Sequence, residues 1–322
     1  MRTLITGGAG LIGSQLAIEI LEINDEILIL DDLSGSPKGF PLVLSNLEKV
    51  KFYKGSIQDK ALVKKLMREV THCYHLAANL GVKKIHSNPI QSFMQNIQGS
   101  EIVLNFAAET AVRTLLASSS EIYGKNSIMP LTESSNRILG DPKVARWSYS
   151  EAKAIDELLA FELNKVHGFP YTIARFFNVI GPRQTEQFGM VLPNFIKSAL
   201  LDQPLIIYGD VSQTRTFCSA SDVAVALNKL MCSSESVGQV YNIGSTSEIS
   251  IKDLAIKVIE LTNSKSHIEF KKYSEVFGDN FEEPARRVPD ISKISKAIGW
   301  KPKKSLNEII LEVAEYIKTN EI

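Results

Sequence analysis

The segment Tyr149-Ser150-Glu151-Ala152-Lys153 places a phenol and an ammonium four residues apart. The surrounding pattern predicts a helix over residues 149–166, and positions i and i+4 of a helix share one face. A tyrosine with its ordinary pKa of about 10 is a poor base at neutral pH, but a neighbouring positive charge favours the phenolate. Such a phenolate can accept a proton from a substrate alcohol. Taken alone, the pair suits packing at a helix surface equally well.

A hydroxyl and a carboxylate follow a predicted strand at residues 114–117, in the run Ser118-Ser119-Ser120-Glu121. In open α/β sheets, ligands bind beyond the carboxyl ends of the strands, so Ser119 can act beside the phenol. Glu121 has two interpretations of equal weight. It is a catalytic group for a later step, or it bonds backbone amides near the turn.

Three glycines, Gly7, Gly10 and Gly13, stand between the first predicted strand and the first predicted helix. The spacing allows a tight turn, approach of the backbone to a pyrophosphate, and close packing of the helix on the strand. The helix N-terminus adds amide donors for phosphate. Asp31 ends the second predicted strand, where a carboxylate can accept from ribose hydroxyls. These features predict a dinucleotide site, with NAD favoured over NADP, and its oxidised nicotinamide would also favour a Tyr149 phenolate.

The predicted elements alternate between short apolar strands and helices, as in βαβ units. The predicted strands are 3–6, 27–30, 50–53, 72–76, 114–117 and 171–176, and the predicted helices are 11–21, 60–68, 96–110 and 149–166. The fold class is therefore α/β, with a Rossmann-type doubly wound parallel sheet and a smaller mixed α/β C-terminal substrate domain. We place the NAD-binding domain at residues 1–180 and the substrate-binding cap at 181–322, with possible exchange of segments between them.

The chain has 322 residues, of which 44% are hydrophobic and 22% charged, and its formal net charge is zero. This balance gives no overall basic field for nucleic acid or an anionic membrane. Its three cysteines, Cys73, Cys218 and Cys232, argue against a disulfide framework, and the N-terminus leaves no room for a signal peptide. We expect a cytoplasmic enzyme. His72-Cys73-Tyr74-His75 lies on a predicted strand, which favours packing over metal binding, so no metal is expected.

Taken together, these motifs resemble the extended short-chain dehydrogenase/reductase family, in particular its NAD-dependent nucleotide-sugar epimerases, dehydratases and decarboxylases. The motifs that carry the resemblance are the glycine turn, His75-Leu76-Ala77-Ala78, Asn96 with Gly99, Ser119 to Gly124, Tyr149 with Lys153, Arg175 to Arg183, Tyr208-Gly209-Asp210, Arg215, and Arg287 to Lys293. The resemblance covers nearly the whole chain. It implies a homodimer and a nucleoside-diphosphate sugar as substrate, with UDP favoured as the nucleotide.

The resemblance also implies roles for individual residues. Ser119, Tyr149 and Lys153 would form the catalytic triad, with Glu121 as a further catalytic group, and Lys153 would hold the nicotinamide ribose. The implied NAD-binding residues are Gly7, Gly10, Leu11, Ile12, Gly13, Asp31, Asp32, Ser56, Ile57, Leu76, Ala77, Ala78, Asn96, Tyr149 and Lys153. The implied substrate-binding residues are Asn178, Val191, Arg215 and Arg287. Ser56 is a departure, because the family usually has an aspartate there.

Details of the resemblance bear on the reaction. Glu121 is typical of decarboxylases and 4,6-dehydratases, but Ser120 stands where the dehydratases have aspartate. The run 146–149 is similar both to UDP-glucuronate decarboxylases and to 4-epimerases, and the loop 184–193 is more similar to the epimerases. We expect an NAD-dependent nucleotide-sugar 4-epimerase that acts by transient oxidation at sugar C4. The alternative is a UDP-glucuronate decarboxylase or a dehydratase that uses the same oxidation, and a third possibility is a non-catalytic NAD-binding regulator.

Overall fold

The computed structural model describes residues 1–36, 39–79, 89–184, 190–209, 212–272 and 282–322. Its strands are β1 Arg2–Thr6, β2 Glu26–Asp31, β3 Val50–Lys54, β4 His72–His75, β5 Arg113–Ser119, β6 Tyr171–Phe176, β7 Val179–Ile180, β8 Leu205–Tyr208, β9 Thr214–Thr216, β10 Cys218–Ser219, β11 Gln239–Ile243, β12 Glu248–Ser250 and β13 Ile268–Lys271. Its α-helices are α1 Leu11–Glu19, α2 Leu42–Ser45, α3 Lys60–Met67, α4 Pro89–Glu109, α5 Ser148–His167, α6 Val191–Leu200, α7 Ala220–Cys232, α8 Ile251–Thr262, α9 Ser292–Ile298 and α10 Leu306–Asn320.

Seven strands form one sheet in the order β11-β6-β5-β4-β1-β2-β3. Every neighbouring pair in it is parallel. All the carboxyl ends therefore meet at one edge, and the order reverses between β1 and β4, which is the usual ligand position in such sheets. The predicted doubly wound parallel sheet is confirmed.

Apolar side chains cover both faces of the sheet, which explains the nearly continuous apolar character of its strands. On one face, α1, α7 and α9 bury residues such as Leu16, Val223 and Ile294. On the other, α3, α4 and α5 bury residues such as Val63 and Val103. Cys73 and Cys218 are buried free thiols, and Cys232 is an exposed one.

The predicted element ranges agree closely with the structure for β6, which covers the predicted residues 171–176. The largest difference is α4, which begins at Pro89 rather than at the predicted residue 96. Proline is well suited to the first turn of a helix, where its missing N–H is not needed. The apolar residues Ile90, Phe93, Met94 and Ile97 recur at helical spacing, so the sequence contained a signal for this earlier start. A capping box of Ser305 and Glu308 begins α10.

The region after residue 180 contributes to two parts of the structure. The helices α6, α8 and α10 form a separate apolar core around residues such as Leu192, Leu254 and Ile310. In the same region, β11 joins the seven-stranded sheet and α7 packs against α1. The boundary at residue 180 stays a prediction. Within the described ranges, no helix has the length and apolar character of a membrane span.

A buried polar network fixes α5 to the carboxyl ends of β5 and β6. Arg175 donates from Nε and Nη2 to the two oxygens of Glu157 at 2.9 and 2.7 Å. The Ser118 hydroxyl donates to the same carboxylate at 2.6 Å. Arg175 Nη1 also donates to the Tyr123 hydroxyl at 2.9 Å, and that hydroxyl donates to Asn242 Oδ1 at 2.6 Å. The network therefore ties β11, β6, β5 and α5 together at the sheet edge.

This network predicts a large stability effect for Arg175→Met, because the variant leaves the Glu157 carboxylate buried without its ion pair. We expect the free energy of unfolding to fall by about 3–5 kcal/mol, measured by urea denaturation. Arg286→Met is the matched control, since Arg286 also bonds both oxygens of a glutamate, Glu248, at 2.8 and 2.7 Å but lies on the surface. The control variant should keep its unfolding midpoint. Equal losses in the two variants would contradict the assignment.

Candidate active site

Ser119 and Tyr149 meet at the carboxyl edge of the sheet. Ser119 is the last residue of β5, and its hydroxyl accepts a hydrogen bond from the Glu121 amide at 3.2 Å, which caps the short 3₁₀ helix Ser120–Tyr123. The same hydroxyl bonds the Tyr149 phenol, which is buried in the first turn of α5. The structure thus brings the two predicted catalytic groups into contact.

The surroundings of the phenol differ from the prediction. Burial is the main influence, and together with the charges of Glu121 and Asp156 it raises the pKa of Tyr149; the Ser119 hydrogen bond opposes the rise. The Lys153 ammonium lies 3.0 Å from the Asp156 carboxylate, so its charge is largely balanced. The prediction combined the Lys153 ammonium with the positive nicotinamide of bound NAD, so it stays a prediction for the enzyme with its cofactor. The phenol is neutral at neutral pH and needs a further positive charge to act as a base.

Glu121 lies in a buried ionic cluster and does not bond the turn amides through its carboxylate. Its Oε1 accepts from Arg146 Nη2 at 2.9 Å and from Arg287 Nη1 at 2.7 Å. Burial by itself would raise the pKa of Glu121, but the two guanidinium groups lower it to about 2. The structural interpretation of Glu121 as a ligand of backbone amides is therefore wrong. At neutral pH the residue is ionised.

Glu283 adds a third arginine, Arg215, to this cluster. Its carboxylate accepts from Arg146 Nε at 3.1 Å and from Arg215 Nη2 at 2.7 Å. Sequence reasoning did not assign Arg146 or Glu283 to the site. The position of Arg146 could have indicated a place in the site, because it lies three residues before Tyr149 and so about one helical turn away. Nothing in the sequence indicated Glu283, because its partners Arg146 and Arg215 are distant in the sequence.

Several polar atoms of the site are buried without a partner among the described residues: Glu121 Oε2 and Arg287 Nε and Nη2. Buried groups of this kind are costly unless a ligand satisfies them. Two unpaired N–H groups of one guanidinium suit a carboxylate or phosphate that binds through two oxygens. The unpaired Nε and Nη2 of Arg287 can therefore bind an anionic ligand.

The other predicted substrate-binding residues lie in nearby segments. Asn178 follows β6 in a left-handed backbone conformation, with a φ of 36°, and donates its side-chain amide to the Thr216 carbonyl at 2.8 Å. Val191 is the first residue of α6. Arg215 belongs to the ionic cluster and also donates to the Ala285 carbonyl at 3.1 Å. Five residues of the loop 184–193, residues 185–189, and Asp210 lie outside the described residues.

The glycine turn has the shape that a dinucleotide requires. A Cβ on Gly13 would lie 2.3 Å from the Gly7 carbonyl oxygen, and one on Gly7 would lie 2.7 Å from the Ala77 nitrogen. A Cβ on Gly10 would meet a single atom, Gly7 O at 3.2 Å, so the backbone there faces open space that a side chain would fill. Leu11 and Ile12 open α1 directly after it. These features fit a pyrophosphate held by the backbone at a helix N-terminus.

The predicted ribose ligand lies at the end of β2. The Asp31 carboxylate accepts from the amides of Ala9 and Leu33 at 3.0 and 2.7 Å, and Asp32 accepts from the Ser34 amide at 2.8 Å. Burial raises the pKa of Asp31, and the two amide hydrogen bonds oppose it. Each Asp31 oxygen keeps lone-pair capacity for a hydroxyl, so the residue fits a ribose.

The remaining predicted cofactor residues surround the same edge. The Ser56 hydroxyl accepts from the Gln58 amide at 3.1 Å. Ile57 packs against Gly99, where an added Cβ would lie 2.3 Å from Ile57 Cδ1. These two residues lie beyond β3, in the segment predicted to bind NAD.

The segment Leu76-Ala77-Ala78 follows β4 directly. The Leu76 amide donates to the Thr6 carbonyl at 3.1 Å. Asn96 holds the backbone of Asn79 from both sides, accepting from its amide at 2.7 Å and donating to its carbonyl at 3.2 Å. The structure thus gathers the predicted cofactor residues along one edge, while their roles stay predictions. The residues that the structure describes contain no cluster of three or more His, Cys, Asp or Glu side chains suited to a metal.

Comparison with known proteins gives the family. The family model described as GDP-mannose 4,6 dehydratase matches residues 4–313. A UDP-N-acetyl-alpha-D-glucosaminuronate decarboxylase of Bacillus cytotoxicus is 34% identical over 320 residues, covering 98% of each chain. UDP-glucuronic acid decarboxylase 6 of Arabidopsis thaliana is 34% identical over 310 residues, covering 96% of this chain and 86% of the relative.

Among solved structures, UDP-glucuronic acid 4-epimerase from Bacillus cereus, in complex with UDP-glucuronic acid and NAD, has a TM-score of 0.88 at 27% identity and 99% coverage of both chains. The predicted family resemblance is therefore confirmed. The chain belongs to the GDP-mannose 4,6-dehydratase family, among the NAD-dependent sugar-nucleotide enzymes of the extended short-chain dehydrogenase/reductase group.

Proposed function

We propose that this protein is an NAD-dependent decarboxylase that acts on a UDP-linked uronic acid. The decarboxylases of Bacillus cytotoxicus and Arabidopsis thaliana match nearly the whole chain at 34% identity. These relatives favour the decarboxylase alternative over the 4-epimerase that the sequence motifs led us to expect. Both reactions share the first oxidation at sugar C4, so they differ in what the site does with the sugar carboxylate.

One observation carries the proposal. An ionised Glu121 and the partly unpaired Arg287 share a hydrogen bond at 2.7 Å. Glu121 also lies near enough to Tyr149 for its charge to raise the pKa of the phenol. Simple inversion at C4 needs no such carboxylate. A guanidinium with two free N–H groups can bind the sugar carboxylate through two oxygens.

In the first step, Tyr149 is the base that takes the proton of the C4 hydroxyl. When bound, NAD would supply the hydride acceptor for C4 and the donor for the reverse step, and its positive charge would lower the pKa of the phenol. The Ser119 hydroxyl, which bonds the phenol, shares the transferred proton. Lys153 directs its ammonium to the cofactor ribose. The glycine turn and Asp31 hold the dinucleotide.

Oxidation at C4 turns the uronate into a β-keto acid. Cleavage of the C5–C6 bond releases CO₂ and moves that electron pair onto the C4 oxygen, which takes back the proton from Tyr149. A proton from the medium adds at C5 while the enol O–H returns its proton to Tyr149, which restores the C4 ketone. When the hydride returns to C4, Tyr149 gives that proton to the alcohol oxygen and is left as the phenolate. Overall, one proton is consumed and no net oxidation occurs. Glu121 repels a second carboxylate at Arg287, so departure of neutral CO₂ relieves that repulsion.

Epimerisation of a UDP-uronate is the second candidate, because the Bacillus cereus 4-epimerase has nearly the same fold over 99% of the chain. That reaction requires rotation of the C4 ketone and protection of the carboxylate until the hydride returns to the opposite face. The two candidates therefore predict different products from one substrate.

The test is incubation of the enzyme with NAD and either UDP-glucuronate or UDP-N-acetylglucosaminuronate, followed by NMR of the sugar and measurement of CO₂. The proposal predicts a UDP-pentose or its amino-sugar counterpart together with an equal amount of CO₂. A C4-inverted uronate that keeps its carboxylate would establish the epimerase instead. NAD binding with no reaction on either uronate would favour the non-catalytic regulator.

The Glu121→Gln variant separates oxidation from decarboxylation. Loss of the repelling charge should slow CO₂ release by about a hundredfold while C4 oxidation continues, so NADH absorbance accumulates in a single turnover. Glu151→Gln is the control, because Glu151 is an exposed carboxylate on the same helix as Tyr149 that pairs with Arg137 at 3.0 Å. The control should release CO₂ at the wild-type rate. Unchanged CO₂ release in Glu121→Gln would remove this residue from the proposed step.

A further inference from the structure

Asp156 lies one helical turn after Lys153 on α5 and has no part in the steps above. Its carboxylate accepts from Lys153 Nζ at 3.0 Å, and the exposed fractions of the lysine and aspartate side chains are 2% and 1%. Charged side chains are almost never buried to this extent unless they are paired. The Asp156 carboxylate therefore holds the Lys153 ammonium in place. The resemblance assigns this ammonium to the cofactor ribose.

Two further side chains extend this contact into the interior. The Ser100 hydroxyl, from α4, bonds Asp156. His75 Nε2, at the end of β4, lies 3.1 Å from the Ser100 oxygen. Burial, and secondarily the charge of Lys153, lower the pKa of His75 to about 3, so its ring is neutral and has one donor and one acceptor nitrogen.

The remaining contacts fix the direction of these hydrogen bonds. Thr6 Oγ1 accepts from the Ala77 amide at 3.3 Å and lies 2.7 Å from His75 Nδ1. The Asp156 carboxylate only accepts, so the Ser100 hydroxyl donates its single proton to it and its oxygen accepts from His75 Nε2. In the neutral ring Nδ1 is then the acceptor, and the Thr6 hydroxyl donates to it. All the donors thus point towards Asp156. We name the side chains of Thr6, His75, Ser100 and Asp156 the buried relay.

The relay reaches the cofactor turn at its far end. Thr6 is the last residue of β1 and directly precedes Gly7. Ala77, whose amide supplies the first donor, is the residue that approaches Gly7 so closely that a Cβ has no room there. The relay therefore connects the catalytic lysine with the backbone predicted to hold pyrophosphate.

The titratable groups that face Asp156 come from two elements. Tyr149, Lys153 and Glu157 lie on its own helix, and His75 faces the relay from β4. Burial raises the pKa of Asp156, and Lys153 and the Ser100 hydrogen bond oppose that rise. A carboxylate with two donors remains the natural acceptor for the lysine.

Two negative charges face the phenol of Tyr149: Glu121 from the 3₁₀ helix and Asp156 from α5. The positive charge of Lys153 would favour the phenolate, but Asp156 lies against it and balances it. Removing the charge of Asp156 while keeping its shape would leave that positive charge uncompensated.

We propose that Asp156 is a positioning residue that anchors the Lys153 ammonium at the end of the buried relay and thereby sets the pH at which Tyr149 becomes a base. The inference rests on the proposed role of Tyr149. In this arrangement Asp156 keeps the phenol protonated until the oxidised cofactor supplies its own positive charge, so base formation is tied to cofactor binding.

The test is Asp156→Asn, which keeps the size of the side chain and an acceptor oxygen for Lys153. The acid limb of the kcat/KM pH profile reports the free base, so it should move to lower pH by about one unit. Glu151→Gln, the exposed carboxylate on the same helix, should leave the limb unchanged. A merely structural role would lower stability or rate without moving the limb.

A second readout does not depend on turnover. Ultraviolet difference titration of NAD-saturated enzyme against its Tyr149→Phe counterpart follows the phenol directly, and the same pair of spectra is recorded in the Asp156→Asn background. Phenolate formation should begin about one pH unit lower in that background. If neither uronate reacts, the proposed function fails on its own, whereas this titration still decides the role of Asp156.

Ser100→Ala covers the case in which Asp156→Asn does not fold. Loss of the hydroxyl donor makes the Asp156 carboxylate easier to protonate, so the limb and the titration should move in the same direction by a smaller amount. An acid limb and a phenol titration that stay at their wild-type pH in every folded variant of Asp156 and Ser100 would overturn the proposal.

Discussion

The interaction on which the site depends is the buried pairing of Glu121 with Arg146 and Arg287. The carboxylate leaves β5 at the sheet edge, one arginine precedes α5, and the other arrives from the C-terminal part of the chain. Burying these charges is costly unless each finds an opposite charge in good geometry. The pairing therefore requires the two parts of the chain to meet where the carboxyl ends of the parallel strands already place Ser119 and Tyr149.

Burial at this edge of the sheet determines the protonation state of each group. Burial disfavours charge on Tyr149, whereas two arginines outweigh burial at Glu121 and keep its pKa near 2. These two acids are thus held in opposite protonation states, the phenol neutral and the carboxylate ionised. The neutral phenol becomes a base when the oxidised cofactor adds a positive charge beside it, and the ionised carboxylate repels the carboxylate of the sugar. The same desolvation serves both steps of the proposed reaction.

How much of this could be predicted from the sequence depends on the range of each contact. The glycine turn, the doubly wound sheet, and the placement of Ser119 and Tyr149 depend on local patterns and on the rule that parallel strands end at one edge. The ionic cluster could not be predicted, because Glu121 and Arg287 are 166 residues apart and Arg215 and Glu283 are 68 apart. Asp156 is an instructive exception. It lies three residues after Lys153, so the two side chains are neighbours on the helix surface and the local sequence already contains the carboxylate that neutralises the lysine.

The most direct measurement of the central claim, transient oxidation at C4 with Tyr149 as the base, uses UDP-glucuronate labelled with deuterium at C4. The hydrogen taken from C4 is returned to the same carbon, so the account predicts a pentose product that keeps the deuterium at C4 while CO₂ is released. A product that carries ordinary hydrogen at C4, with the label lost to the medium, would contradict it.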